Sequence, residues 1–152
     1  MQRITITIDD DLLQAVDGLM SRRGYGSRSE AMRDIVRDMV DRERLAEPGA
    51  TCIGTFTYIF DHDIRDLPRR LTSAHLERHD LSVASLRVHL NHESCLDISV
   101  LRGPLEDVQA FADAVASQRG VRHADLHLIP AHIATVEHVH GDAATPHEHV
   151  EI

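Results

Sequence analysis

Six residues near the N-terminus, Arg3-Ile4-Thr5-Ile6-Thr7-Ile8, decide the fold of the first part of this chain. Apolar and polar residues alternate strictly there, so the isoleucines share one face of a short β-strand and the other three residues share the opposite face. No second strand follows nearby, and a single strand is not stable by itself in water. We therefore expect this strand to pair with the same strand of a second copy.

Two helices are predicted directly after the strand. The run Asp9-Asp10-Asp11 supplies N-cap chemistry and negative charge at a helix start, and Gly24 ends that helix. The segment Ser27-Arg28-Ser29-Glu30 is a capping box that opens a second helix, which is predicted to reach about Arg44. The order strand, helix, helix predicts a β-α-α unit at residues 1–45 that is an obligate dimer.

The expected dimer presents a two-stranded ribbon to solvent. Arg3, Thr5 and Thr7 would lie twice on its exposed face. A two-stranded ribbon fits the major groove of DNA, where such side chains can contact base edges. These three residues are therefore the candidates for reading a DNA sequence.

The rest of the chain predicts a second domain of a different kind. Residues 46–51 form a short linker, and beyond it the patterns follow the order β-α-β-β-α-β of the ferredoxin-like arrangement. The predicted strands are 52–60, 81–90, 95–101 and 121–129, and the predicted helices are 64–78 and a helix that Gly103-Pro104 opens and that reaches Gln118. The fold class is thus α+β, with the ferredoxin-like domain at 52–130 and a His-rich tail, expected to be flexible, at 131–152.

Composition narrows the classes of function. The 152 residues carry a net charge of -9, with 16 basic and 25 acidic residues and 12 histidines, which argues against a generic nucleic-acid binder. No apolar run approaches the roughly 20 residues that span a bilayer, and no signal pattern opens the chain, so we expect a cytoplasmic protein with no membrane partner. Two cysteines in a chain of this length predict a free thiol or a metal ligand rather than a disulfide scaffold.

Motifs in both domains carry a family resemblance. The opening residues 1–11 and the segment Ser27-Arg28-Ser29-Glu30-Ala31 are similar to ribbon-helix-helix repressors. In the second domain the matching motifs are Val88-His89, Asn91-His92, Cys95-Leu96 and Gln118-Arg119-Gly120-Val121-Arg122-His123. Together these motifs resemble the nickel-responsive transcriptional regulator family, in which an ACT-type, ferredoxin-like domain follows the ribbon-helix-helix domain. The resemblance covers about residues 1–130.

The resemblance implies a function and an assembly. It implies a homotetramer, a dimer of dimers, that represses transcription by binding two operator half-sites on double-stranded DNA. Carried over by position, Arg3, Thr5 and Thr7 would contact bases, and Glu30 and Asp34 would hold a structural cation. It also implies that nickel bound in the ACT-type domains restricts how the two DNA-binding dimers are oriented.

The metal donors are the place where this chain departs from the family. The resemblance implies four donors, at positions 87, 89 and 95 of one subunit and position 76 of its neighbour. His89 and Cys95 match this pattern, whereas the other two positions are Arg87 and Leu76. A guanidinium stays protonated and has no lone pair for a metal, so Arg87 is not a normal ligand.

Three interpretations of this departure stay open. Substitute donors could rebuild a tetrahedral site that favours zinc or cobalt over nickel, and the candidates are His75, His79 and His92. Alternatively, Arg87 replaces the charge of the metal and pairs with an acid such as Asp97. Finally, metal binding could lie elsewhere, in Asp61-His62-Asp63 or in the tail pairs His138-x-His140 and His147-x-His149.

The leading functional hypothesis is a metal-responsive repressor for nickel, with cobalt or zinc as alternatives. A related hypothesis is a ribbon-helix-helix regulator that has lost nickel sensing or responds to a small ligand. A ribbon-helix-helix antitoxin is less favoured, because the complete βαββαβ unit is unlike a short disordered tail. We do not expect an enzyme, because no oxyanion donor or orienting third group accompanies the thiol and imidazole of Cys95 and His89.

Overall fold

A computed structural model of the chain describes residues 4–140 and 143–151. The chain divides into two compact units, residues 1–43 and residues 44–152. Each unit is described by itself.

The first unit contains two helices, α1 (Asp10–Arg23) and α2 (Arg28–Ala46). The carboxylate of Asp9 accepts a hydrogen bond from the Leu12 N–H at 2.8 Å, and Gly24 closes α1 in the left-handed conformation with φ 73°. The Ser27 hydroxyl oxygen accepts from the Glu30 N–H at 3.2 Å, as a capping box requires. The carboxylate of Glu30 accepts instead from the Gly26 N–H at 3.1 Å, one residue earlier than in the standard motif.

Residues 4–9, which precede α1, form no strand within the single chain. The backbone groups of a strand need a partner strand for their hydrogen bonds, and the described residues of the first unit contain no such partner. The side chains of Ile4 and Ile6 are 84% and 55% exposed. Large apolar residues of both helices are exposed as well, among them Leu12, Ile35, Val36, Met39 and Val40.

The second unit is built on a four-stranded antiparallel sheet with two helices. Its elements in chain order are β1 (Thr51–Asp61), α3 (Leu67–Glu77), β2 (Ser82–His89), β3 (Ser94–Pro104), α4 (Leu105–Ala116) and β4 (Val121–Pro130). The strand order in the sheet is β2-β3-β1-β4. This confirms the ferredoxin-like arrangement predicted from the sequence.

Two predicted boundaries differ from the structure by about three residues, and the others by one or two. Helix α3 begins at Leu67 rather than at residue 64, because Asp66 takes the left-handed conformation with φ 63° just before it. Strand β3 continues through Gly103 and Pro104, which were expected to open a helix, and α4 begins one residue later. Gly103 is required in the strand because a Cβ on it would lie 2.6 Å from the Leu81 side chain.

The core lies between one face of the sheet and the two helices. Alternate residues of β1 point into it, and Phe56, Tyr58 and Phe60 are almost completely buried there. Leu71 of α3 and Val108 of α4 pack in the same cluster. The opposite face of the sheet stays open in the single chain, and its apolar side chains include Leu86, Val88 and Leu90, which are exposed.

Beyond β4 the chain forms a two-stranded antiparallel hairpin, β5 (His132–His140) and β6 (Ala143–Glu151). The sequence alone predicts a flexible tail without regular structure at residues 131–152. The segment is rich in β-branched residue types, which favour strands, although its polar residues hide a clear alternation of apolar and polar positions. The hairpin starts at the sheet, because the Ala131 N–H donates to the Thr51 carbonyl at 2.9 Å.

Within the described residues, no helix is both long enough and apolar enough to cross a membrane.

Candidate metal centre

His89 and Cys95 lie side by side at one end of the β2–β3 ladder. The register pairs these two residues directly, and the Cys95 Sγ atom lies 3.2 Å from the His89 Nδ1 atom. Cys95 is buried at 1% exposure, whereas His89 is exposed. One soft sulfur donor and one imidazole donor therefore meet at the edge of the core, with the imidazole accessible to solvent.

Arg87 lies two residues before His89, on the same face of the sheet, and forms an ion pair with Asp97. Its Nε and Nη2 atoms donate to the two carboxylate oxygens of Asp97 at 2.7 and 2.8 Å. This confirms the pair proposed from the sequence. Its guanidinium carbon also lies 4.7 Å from the ring centre of Phe60, in a cation–π arrangement. The hydrogen bonds that Arg87 donates to Asp97 raise the pKa of Arg87, so the guanidinium stays charged.

Asp97 also connects Arg87 to a buried polar network. Asp97 is 4% exposed, and its Oδ2 atom accepts a second hydrogen bond, from the Tyr58 hydroxyl at 3.0 Å. Burial, followed by the nearby Asp97 charge, raises the pKa of Tyr58, so its hydroxyl remains a donor. The Tyr58 oxygen lies 3.3 Å from the His75 Nε2 atom.

His75 on α3 is half-buried. Its Nδ1 atom lies 3.2 Å from the Ser82 hydroxyl oxygen, and its ring meets Phe111 edge to face at 5.0 Å. Burial lowers the pKa of His75, and this outweighs the opposing attraction of Asp97. His75 thus belongs to the network around Asp97.

The lowered pKa of His75 predicts a loss of stability in acid. The unfolded chain takes up this proton near the ordinary value of 6.5, whereas the folded chain takes it up only at lower pH. The unfolded state then binds more protons, so the free energy of unfolding should fall as pH drops from 6.5 to the folded pKa. Urea unfolding of the parent and of His75→Gln across this pH range measures how much His75 contributes to the pH dependence of the free energy of unfolding. The variant should show the shallower slope, and equal slopes would contradict the prediction.

The single chain brings no third metal donor to His89 and Cys95 among its described residues. His79 places its Nδ1 atom 3.3 Å from the Leu76 carbonyl oxygen, and His92 is exposed in the β2–β3 turn. Leu76 itself is 68% exposed. A role for His75, His79 or His92 as a substitute ligand therefore stays a prediction, which requires donors from a second copy or a local rearrangement.

A different cluster, Asp61, His62 and Asp63, does bring three donor groups together. Their ligand atoms all lie within 4.8 Å of one another, and no other such group of three occurs among the residues whose side chains the structure describes, 4–132 and 150. The His62 Nδ1 atom lies 3.4 Å from a carboxylate oxygen of Asp63 and 3.2 Å from the Glu93 carbonyl oxygen. These exposed groups already interact with each other, so the cluster by itself does not point to a bound ion.

The candidate DNA-contacting and cation-binding residues belong to the first unit. Thr5 and Thr7 are exposed, and Arg3 lies outside the described residues. The carboxylate of Glu30 is engaged by the Gly26 N–H, and that of Asp34 accepts from Arg37 at 2.8 Å. The proposed cation site would therefore have to displace these contacts, and its role stays a prediction.

Sequence reasoning missed the aromatic side of the centre. Tyr58 pairs with Asp97, and Phe60 pairs with Cys95, across the β1–β3 ladder. Arg87 pairs with Asp97 from the other side, so the row that contains Tyr58 runs across three strands. Alternation in the sequence places Tyr58 and Phe60 on one face of β1, but only the register between strands shows which residues lie opposite.

The chain combines an N-terminal unit of two capped helices, preceded by an alternating segment, with a ferredoxin-like domain that holds a thiol–imidazole pair. Together these features define a class of protein. It is the class of metal-responsive transcriptional regulators that bind DNA. Residues 2–43 match the family model described as ribbon-helix-helix protein, copG family, and residues 53–129 match the model of the NikR C terminal nickel binding domain. The chain belongs to the family of nickel-responsive regulators.

A relative and a solved structure are similar to the chain. A protein of Rhizobium rhizogenes, described as a nickel-responsive regulator, is 53% identical over 132 residues, which is 86% of this chain and 91% of that protein. The solved structure of an uncharacterized protein from Thermotoga maritima is 14% identical with a TM-score of 0.45, and the match covers 53% of this chain and 96% of that one.

The donor set fits nickel only in part. His89 and Cys95 are donors that a borderline transition metal accepts. Arg87 is held on Asp97 as a cation, and Leu76 has no donor atom, so one chain does not supply the four protein donors that the family pattern implies. Any metal bound here must take its remaining donors from another source.

Proposed function

We propose that this chain is a repressor of transcription whose affinity for a specific DNA operator responds to a metal bound at His89 and Cys95. The observation that carries the proposal is the 3.2 Å approach of the Cys95 Sγ atom to the His89 Nδ1 atom. The nickel-responsive relative supports nickel as the first ion to test. Cobalt and zinc follow, because an incomplete donor set loses the planar preference that favours nickel. The role is regulatory rather than catalytic.

The open face of the sheet supports assembly into a homotetramer. Leu86 is 58% exposed and Leu90 is 48% exposed in the single chain. A contiguous apolar face of this kind is typical of a protein interface. We propose that ribbon-helix-helix dimers are joined through these sheets, and sedimentation measurements at working concentration give the assembly state.

Contacts with DNA are assigned to the ribbon that two copies of residues 3–8 would form. The exposure of Ile4, Ile6, Thr5 and Thr7 in a single chain supports pairing of this segment with a second copy. A dimer of such dimers would bind an operator with two half-sites. Coupling between the metal and DNA sites must be reciprocal, so operator DNA should tighten metal binding by the factor by which the metal tightens DNA binding.

A second candidate function is favoured by the Arg87–Asp97 pair. A permanent cation next to the donor pair provides positive charge without a metal. The chain would then bind its operator in the same way with or without nickel. The two candidates differ in a single measurement, which is the operator affinity of the metal-free protein before and after addition of nickel, cobalt or zinc. Tighter binding with metal supports the responsive repressor, and tight binding that no metal changes supports the second candidate.

The base-reading role of the ribbon predicts a large loss of operator affinity in Thr5→Ala/Thr7→Ala. Each lost base contact costs about 1 kcal/mol or more, so the double variant should bind its operator at least about 30-fold more weakly. Non-specific binding and its salt dependence depend on phosphate contacts and should stay close to the parent values. A gel-shift titration at several salt concentrations measures both quantities. Unchanged operator affinity would contradict the assignment of these residues.

A further inference from the structure

The hairpin β5–β6 gathers its histidines on one face. In its register Val136 pairs with His147, and Ala134 pairs with His149. Residues two apart on a strand share a face, and directly paired residues share a face as well. The backbone therefore places all five histidines of the hairpin on the same face, namely His132, His138, His140, His147 and His149.

These histidines form a continuous row across the two strands. His138 and His147 are diagonal neighbours, because His147 pairs with the residue two positions before His138. His132 and His149 are diagonal neighbours for the same reason. Diagonal positions lie about 7–8 Å apart between Cα atoms, and residues two apart on one strand lie about 6.6 Å apart. Two histidines whose Cα atoms are separated by such distances can both donate to one metal ion, because the imidazole is joined to the backbone through a rotatable side chain.

The charge of this segment favours a cation. Residues 131–152 contain four acidic residues and no Lys or Arg. Imidazole is a ligand that suits nickel, copper and zinc, and histidine is largely neutral at pH 7. The segment therefore differs from the neighbourhood of His89, where the Arg87 guanidinium opposes the approach of a metal ion.

The hairpin also lies outside the part of the chain that matches the family. The match to the nickel-binding domain ends at residue 129, whereas β5 begins at His132. Ala131, which joins it to the sheet, is 8% exposed and bonded to Thr51. The β5–β6 hairpin thus lies beyond the matched domain and is attached at the end of the four-stranded sheet.

We propose that the β5–β6 hairpin binds a divalent transition metal through histidines of both strands, at a site separate from His89 and Cys95. The site needs no second copy, because its donors come from one hairpin. It does not depend on DNA binding, so it stands whether or not the chain is a repressor. Its functional consequence is that the chain binds metal even where Arg87 weakens the central site.

The test uses the full chain with Cys95→Ser, which removes the thiolate donor of the central site. Nickel alone is titrated into this protein by equilibrium dialysis without DNA, and bound nickel is counted per chain. We expect nickel to bind to this background protein and to be lost when His147→Gln and His149→Gln are added. Absence of nickel binding in the background protein, or its persistence after both changes, would overturn the proposal.

A second variant tests the face rather than the number of histidines. Residues 147–150 are changed by His147→Glu, Glu148→His, His149→Val and Val150→His, so composition and the His-x-His spacing are preserved. The two β6 histidines then occupy the opposite face and lose their diagonal neighbours on β5. We expect this variant to lose nickel as the Gln variant does. Nickel binding equal to that of the background protein would show that a His-rich composition suffices, and would refute a cross-strand site.

Discussion

Arg87→His should strengthen nickel binding at the central site by about 100-fold or more. The change adds a neutral imidazole on the same face as His89 and removes a guanidinium from the neighbourhood of Cys95. A unit charge about 6 Å from a divalent ion costs on the order of several kcal/mol at an effective dielectric constant of 20, and each 1.4 kcal/mol is about tenfold in affinity. The thiolate-to-nickel charge-transfer absorption requires a cysteine donor, and the other cysteine, Cys52, is buried with a raised pKa, so nickel bound by tail histidines does not contribute to the signal.

Arg87→Gln is the matched control for this experiment. It removes the same charge and supplies no imidazole, so it separates relief of repulsion from gain of a donor. We expect nickel affinity in the order His, Gln, Arg at position 87. Equal affinities for all three proteins would show that Arg87 does not control the site, and the lost-sensing hypothesis would then have no support from this residue.

Arg87→Met should destabilise the fold by roughly 3 kcal/mol, and Asp97→Asn by only about 1 kcal/mol. The asymmetry follows from burial, because the Asp97 side chain is 6% exposed and that of Arg87 is 35% exposed. Loss of Arg87 leaves a buried carboxylate whose remaining side-chain donor, within the described part of the chain, is the Tyr58 hydroxyl. Loss of the Asp97 charge leaves a guanidinium that can turn towards water, so the penalty is smaller.

Chemical unfolding of the metal-free proteins at one fixed protein concentration gives the two free energies, because assembly makes stability concentration-dependent. A double variant, Arg87→Met/Asp97→Asn, should recover part of the loss, since no buried charge remains without a cation. If Asp97→Asn lowered the free energy of unfolding as much as Arg87→Met, an unpaired buried charge on Asp97 would not explain the loss of stability. The loss of stability in Arg87→Met also indicates how much stability the substitutions at position 87 cost in the nickel experiment.

Local patterns determined much of this protein. The caps at Asp9, Gly24 and Ser27 are short-range signals, and the structure bears out the two helices that they predict. The alternation at residues 3–8 predicts a strand, which the single chain does not form. The order of strands and helices was also readable, because a βαββαβ succession with a short β2–β3 turn leaves few ways to form one antiparallel sheet. His89 and Cys95 were recognisable because they match donor positions that the family resemblance implies.

The neighbours of that donor pair were decided only by the tertiary structure. Tyr58 precedes Asp97 by 39 residues and Phe60 precedes Cys95 by 35, and only the β1–β3 register brings each pair together. The tail shows the same limit, because its histidines are spaced irregularly along the chain and come to share one face only when β5 and β6 pair. Hydrophobic periodicity reports which face a residue takes within its own strand. The position of that residue relative to other strands depends on long-range pairing and packing, which no single stretch of sequence contains.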